Sequence, residues 1–141
     1  MLSTYRVLRK MATVINTDGL HTGKQFAASN GYSDRFDICA LAYIVAEDRP
    51  APRDFFTDES ASIRLIESSA GAMQAIRALS ASLDSEPCET EIAPGMTVPD
   101  YIEHVSNWAA TTPIGETTPP TTAEVLGRIL RAADQATSHA A

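Results

Sequence analysis

The opening stretch of the chain repeats with helical spacing. Tyr5, Leu8, Met11, Ala12 and Ile15 recur every three or four residues, which places them on one face of a helix. Ser3 can cap its start. Asp18-Gly19 ends it, because glycine accepts the left-handed conformation that follows a helix. The next stretch, LHTGKQFAASNGYSDRF, is polar and interrupted by Gly23 and Gly31; it reads as a loop or a short broken helix. From Ile38 to Ala46 the pattern changes, since ICALAYIVA has no charged position and no polar face. A helix apolar all round belongs in the middle of a fold. Asp37 is a good N-cap for it, and Pro50 and Pro52 stop it.

The segment EDRPAPRDFFTDES reads as a loop. Two adjacent aromatics, Phe55 and Phe56, cannot point the same way from an extended loop. One is expected to anchor it and the other to be at least partly exposed, open to self-association or a partner, the alternative being that both fold onto the core. Ser60 can cap a helix carrying Ile63, Ile66 and Ala70; Gly71 either divides it from a piece carrying Met73, Ile76, Leu79 and Leu83 or lies within one long bent helix. DSEPCETEIAPGMTVP is an acidic, proline-bearing surface excursion with room for a short strand at Glu89 to Ile92. Asp100 to Ala110 is helical, with Tyr101, Ile102, Val105 and Trp108 or Ala109 on one face. After the polar loop TTPIGETTPPTT, Thr121 and Glu124 form a capping box. It opens a last helix with a stripe of Val125, Leu126, Ile129, Leu130 and Ala133. Residues 134–141 read as a frayed tail. The expected fold is all-α: one compact domain of five to six helices around the central apolar helix, with long loops and little or no sheet.

Composition narrows the function. The 141 residues suit one domain. The formal charge of −7 and pI near 4.8 disfavour binding to nucleic acid through phosphate neutralisation. The only basic cluster is Arg6, Arg9 and Lys10, which reads as a solvated helix face. The longest apolar run, Ile38 to Ala46, is shorter than the roughly 20 residues a membrane span requires. With no export leader evident, the two cysteines read as reduced thiols, and a cytoplasmic setting is expected. The acidic balance suits a basic protein partner or self-association better than nucleic acid or membrane.

Candidate chemistry centres first on Cys39. At the second position of its helix the thiol would lie near free N–H groups, which favours the thiolate. The order Cys39, His104, Asn107 also has the residue types of papain-like hydrolases in sequence. Against this, the charge of Asp37 raises a thiol pKa, and Ile38, Ala40 and Leu41 bury the sulfur. A packed, unreactive thiol is expected, and no catalytic residue is assigned. His104 and Trp108, one turn apart, can line a pocket, although Trp108 as core with His104 at its edge explains the spacing as well. His21 lies in GLHTGKQ, which lacks the glycine spacing, the following hydroxyl and the preceding strand of a phosphate loop. Three scattered histidines and two distant cysteines show no metal-ligand pairing, and no cofactor is expected. Asp54, Asp58 and Glu59 read as a solvated acidic loop.

The order of DGLHTGKQFA, ICALAYIVAED, HVSNWAATTP and TTAEVLGRILRAAD resembles a family of small helical domains of unknown function from actinobacteria and their phages. Ala42 and Tyr43 depart from that family's small pair after the cysteine, and Ala109-Ala110 from its polar pair after the tryptophan. The resemblance implies a helical fold and a cytoplasmic setting, with no activity to carry over. The expected function is a non-enzymatic cytoplasmic binding or interaction protein, such as an accessory or phage-related factor that acts on a host protein, possible binding positions being His21, His104, Trp108, Phe55 and Phe56. The alternative is a small-molecule or nucleotide binder, or a cysteine-dependent enzyme, with a pocket near Cys39 and His104. That alternative requires His21, Cys39, His104 and Trp108 to converge on one cavity.

Overall fold

The structure, a computed structural model, describes residues 1–140 and the side chains of residues 1–137. Helix α1 (Thr4–Asp18) is capped by Ser3, whose hydroxyl accepts from the Arg6 amide, and ends at Gly19 with φ of 82°. Its buried stripe is Val7, Leu8, Met11, Ala12 and Ile15. Tyr5 is outside that stripe, and Arg9 lies over its exposed ring. Helix α2 (Ile38–Glu47) begins with six consecutive buried residues, Ile38 to Tyr43. It packs against α1, α4 (Glu59–Ser68), α5 (Ala70–Ser82) and α6 (Tyr101–Ala110). This is what an apolar helix without a polar face requires. Helix α7 (Thr122–Ala140) packs along α1. The first turn of α1 lies beside Ala136 and Thr137, so the two run antiparallel. The capping box forms: the Thr121 amide donates to Glu124 and the Glu124 amide to Thr121 Oγ1. The helix continues through the segment read as a frayed tail as far as Ala140; Ala141 lies outside the described residues.

The all-α expectation is corrected. Among the described residues there are seven helices and two small antiparallel sheets, so the fold is helix-dominated but mixed. Strands β1 (Ala27–Ser29) and β2 (Asp34–Phe36) form a hairpin within the stretch read as a loop. Its turn is built on Asn30, whose side-chain oxygen accepts from the Tyr32 and Ser33 amides. Three-residue strands are too short to show a period-two pattern. Strands β3 (Glu89–Ala93) and β4 (Met96–Pro99) form a second hairpin, exposed along both strands. One of its strands was anticipated and its partner was not. Between α2 and α4, Asp54–Thr57 forms the short helix α3.

Two helix boundaries also differ from expectation. Asp58, not Ser60, caps α4 by accepting from the Ala61 amide. The break between α4 and α5 falls at Ser69, which caps α5 through the Ala72 amide and donates to Glu47 on α2. Gly71 sits inside α5 at a close approach to α2, where an added Cβ would come within 3.1 Å of the Ala46 methyl. Phe55 is fully buried between Phe26 and Tyr43, and half-buried Phe56 meets Phe36. Phe55 therefore fastens the first hairpin to the core, and Phe56, partly exposed, packs on Phe36 beside it. No helix among the described residues is long and apolar enough to cross a membrane.

The two ends of α2 are expected to respond differently to truncation. Leu41 is 2% exposed, and Leu41→Ala should destabilise by about 2–5 kcal/mol in chemical denaturation. Ile44 is half-buried beside a shallow groove with Lys10 and Val14, so Ile44→Ala should cost less than half as much. Equal losses at both positions would contradict this placement of the helix.

Candidate functional site

The first six residues of α2 are buried, so its leading N–H groups have no access to water and need an acceptor from the protein. Asp37 supplies it. Its Oδ1 accepts from the Cys39 amide at 2.7 Å and the Ala40 amide at 3.3 Å. The same oxygen accepts from Ser106 Oγ on α6 at 3.1 Å. All three hydrogen bonds thus fall on one oxygen, while the carboxyl, only 9% exposed, lines a cleft of about 420 Å³. Burial pushes its pKa up from 3.8 to about 6, opposed by the three hydrogen bonds and by the nearby charge of His21.

One wall of the cleft is the segment 22–26, held at both ends. The His21 amide donates to the Phe36 carbonyl, and the Asp37 amide donates to the Phe26 carbonyl at 2.8 Å. Within it, His21 Nε2 donates to the Lys24 carbonyl. A Cβ at Gly23 would meet the His21 ring at 3.0 Å, so the glycine lets that ring lie against the loop. Gln25 has φ of 63°, a left-handed conformation that strains a residue other than glycine. Its buried Oε1 has no hydrogen-bond partner among the described residues. A strained backbone carrying an orphaned amide oxygen marks a place where local stability is given up.

The opposite wall is α6. Glu103, Ser106, Asn107 and Ala110 fall at helical spacing and face the cleft, with Asp100, Ile102 and, from α4, Glu59 and Ile63 beside them. Asp100 caps α6 by accepting from the Glu103 amide through Oδ1, and its Oδ2 accepts from Thr90. The cleft therefore carries four carboxyl groups, Asp37, Glu59, Asp100 and Glu103, against one cation, Lys24. It lacks the ligand grouping of a metal centre: among the described residues no three or more His, Cys, Asp and Glu side chains are placed to hold an ion.

The four residues whose convergence would make an enzyme site or a pocket are not brought together. Cys39 is fully buried behind Asp37, its thiol directed to the Ile102 carbonyl at 3.6 Å and contacted by Ser106 Oγ at 3.3 Å. Burial first, then the Asp37 charge, pushes that thiol well above its ordinary pKa. His104 points to a different side of α6. Its Nδ1 bonds Ser80 at 2.6 Å and its Nε2 bonds Ser85 at 2.8 Å. With both ring nitrogens engaged and burial lowering its pKa, the imidazole is a neutral pin between α5, α6 and the loop after α5. Half-buried Trp108 lines a separate cleft of about 500 Å³ with Ser85, Glu124 and Arg128. Asn107 reaches the Asp37 cleft and accepts from Thr111. Asp37 was read from the sequence as a cap, and its place in a cleft was missed. The signal within reach was the polar stripe Glu103, Ser106, Asn107 on one face of α6.

Two outcomes follow from this geometry. Native thiol labelling should modify exposed Cys88 and leave Cys39 unreacted, and rapid modification of two thiols would contradict the burial. Asp37 has a raised folded pKa, so the native state holds its proton more tightly than the unfolded chain. Its contribution should make stability fall as pH rises from about 4 to about 6, by an amount on the order of 3 kcal/mol. Asparagine keeps the accepting oxygen and has no charge, so the stability difference between the wild type and Asp37→Asn should follow that curve. A difference independent of pH would mean that Asp37 is not buried as described.

No protein-family model matches the chain, and searches of curated proteins and of solved structures found no match.

Proposed function

We propose that this chain is a non-enzymatic binding protein whose cleft at Asp37 takes a protonated amine or a guanidinium group. The observation that carries the reading is a buried carboxyl whose three hydrogen bonds all fall on Oδ1, lining a cleft with three further carboxyl groups. A buried carboxylate is destabilised unless it is paired. A cation brought into the cleft would add counter-charge beyond that of His21 and Lys24, and Gln25 Oε1 offers an acceptor for a further N–H if the segment around it shifts. Binding rather than reaction is favoured because the nucleophile and base candidates are already committed. The Cys39 thiol donates into the core, and both nitrogens of His104 are held by serines.

Titrating the protein with butylguanidinium chloride, followed by amide NMR, tests this. Shifts should concentrate at residues 22–26, 37–40 and 103–107. A carboxyl with pKa near 6 is mostly protonated at pH 5 and mostly ionised at pH 7, so affinity should rise about tenfold across that interval. Asp37→Asn should remove both the binding and its pH dependence. Shifts elsewhere, or equal affinity in the variant, would sink the proposal.

A further inference from the structure

The Asp37 cleft does not stop at the N-terminus of α6. A second cleft of about 510 Å³ lies on the far side of that terminus, and Asp100 and Ile102 line both. The wall they share is α4. Glu59 and Ile63 face the first cleft and Glu67 the second; spaced four residues apart, they form one stripe along that helix. The two clefts are thus the halves of one groove between α4 and the start of α6. The far half is bounded by the second hairpin, where Ile92 is 59% and Val98 39% exposed. These strands pair only with each other. Exposed aliphatic side chains grouped on a projecting hairpin, beside a groove, are the kind of patch that marks an interaction surface.

We infer that the groove holds a linear peptide segment in which a lysine or arginine is flanked by aliphatic residues, the cation in the Asp37 cleft and the aliphatic side chains against the hairpin. This rests on the cation reading of that cleft and adds the class of ligand. Charge complementarity selects the occupant. Along the groove five carboxyl groups, Asp37, Glu59, Glu67, Asp100 and Glu103, stand against two cations, Lys24 and Arg77, the latter lying over the Tyr101 ring. An anionic membrane or nucleic acid would be repelled by the same carboxylates. A small amine fills only the Asp37 end and leaves the apolar end uncovered, whereas a peptide carries both chemistries at once.

The test compares butylguanidinium with a labelled, terminally blocked octapeptide containing one arginine and two valines, using fluorescence anisotropy and competition on the full chain. The peptide should bind about tenfold or more tightly than butylguanidinium, the order expected for burying one or two aliphatic side chains. Ile92→Ser combined with Val98→Ser should abolish that gain and leave butylguanidinium affinity unchanged. Both positions are exposed, so the fold should tolerate the change, and an unaltered melting temperature checks it. If butylguanidinium binds but the peptide shows no gain, or a gain the hairpin variant does not remove, the groove inference is overturned and the cleft reading stands. If butylguanidinium does not bind, both are overturned.

Discussion

An apolar helix buried from its first residue must find acceptors for its leading N–H groups inside the protein. Much of the structure around α2 follows from how that need is met. Asp37 takes the Cys39 and Ala40 amides and the Ser106 hydroxyl on a single oxygen. One side chain thereby starts α2, ties it to α6 and ends β2, while its own amide draws the Phe26 carbonyl onto the same spot. Phe26 is in turn fixed by Phe55, and Phe55 by Tyr43 on α2. The first hairpin and α3 are thus assembled around the cap.

Capping with a carboxylate rather than a hydroxyl or amide has a consequence beyond the helix. A serine or asparagine would satisfy the same N–H groups without charge. Aspartate carries a charge into the interior, and burial drives its pKa up to about 6. Another buried polar device, His104 between Ser80 and Ser85, is neutral and fully partnered. The contrast separates a structural pin from a group with capacity to spare. Around Asp37 the same cleft holds a strained Gln25 and its unpaired oxygen. These departures from the rules of stable packing, gathered in one place, are what the proposed cation site rests on.

Much of the helical frame was legible in the sequence. The limits of α1 and α2 and the start of α7 follow from caps and apolar periodicity, and the buried setting of Cys39 follows from its neighbours. Of the sheets, only the strand at Glu89 was legible. Ala27–Ser29 and Asp34–Phe36 are three residues each, and β3–β4 is exposed throughout, so neither leaves an alternation of buried and exposed positions to read. The site was half legible. Asp37 could be recognised as a cap, but the cleft depends on residues 21–26 folding back onto β2 and on α6 arriving from some seventy positions away. His104 and Trp108 share a helix face as their spacing says, yet spacing alone does not say that the partners on that face are Ser80 and Ser85 rather than Cys39.

The central claim is that Asp37 is a buried carboxyl awaiting a cation. The most direct measurement is the titration of its side-chain carboxyl carbon by NMR, in the free protein and with saturating butylguanidinium. A midpoint near 6 in the free protein, moving down toward the ordinary carboxylate range when the cation is present, is the predicted result. A free-protein midpoint close to 4, or one that the cation leaves unmoved, would contradict it.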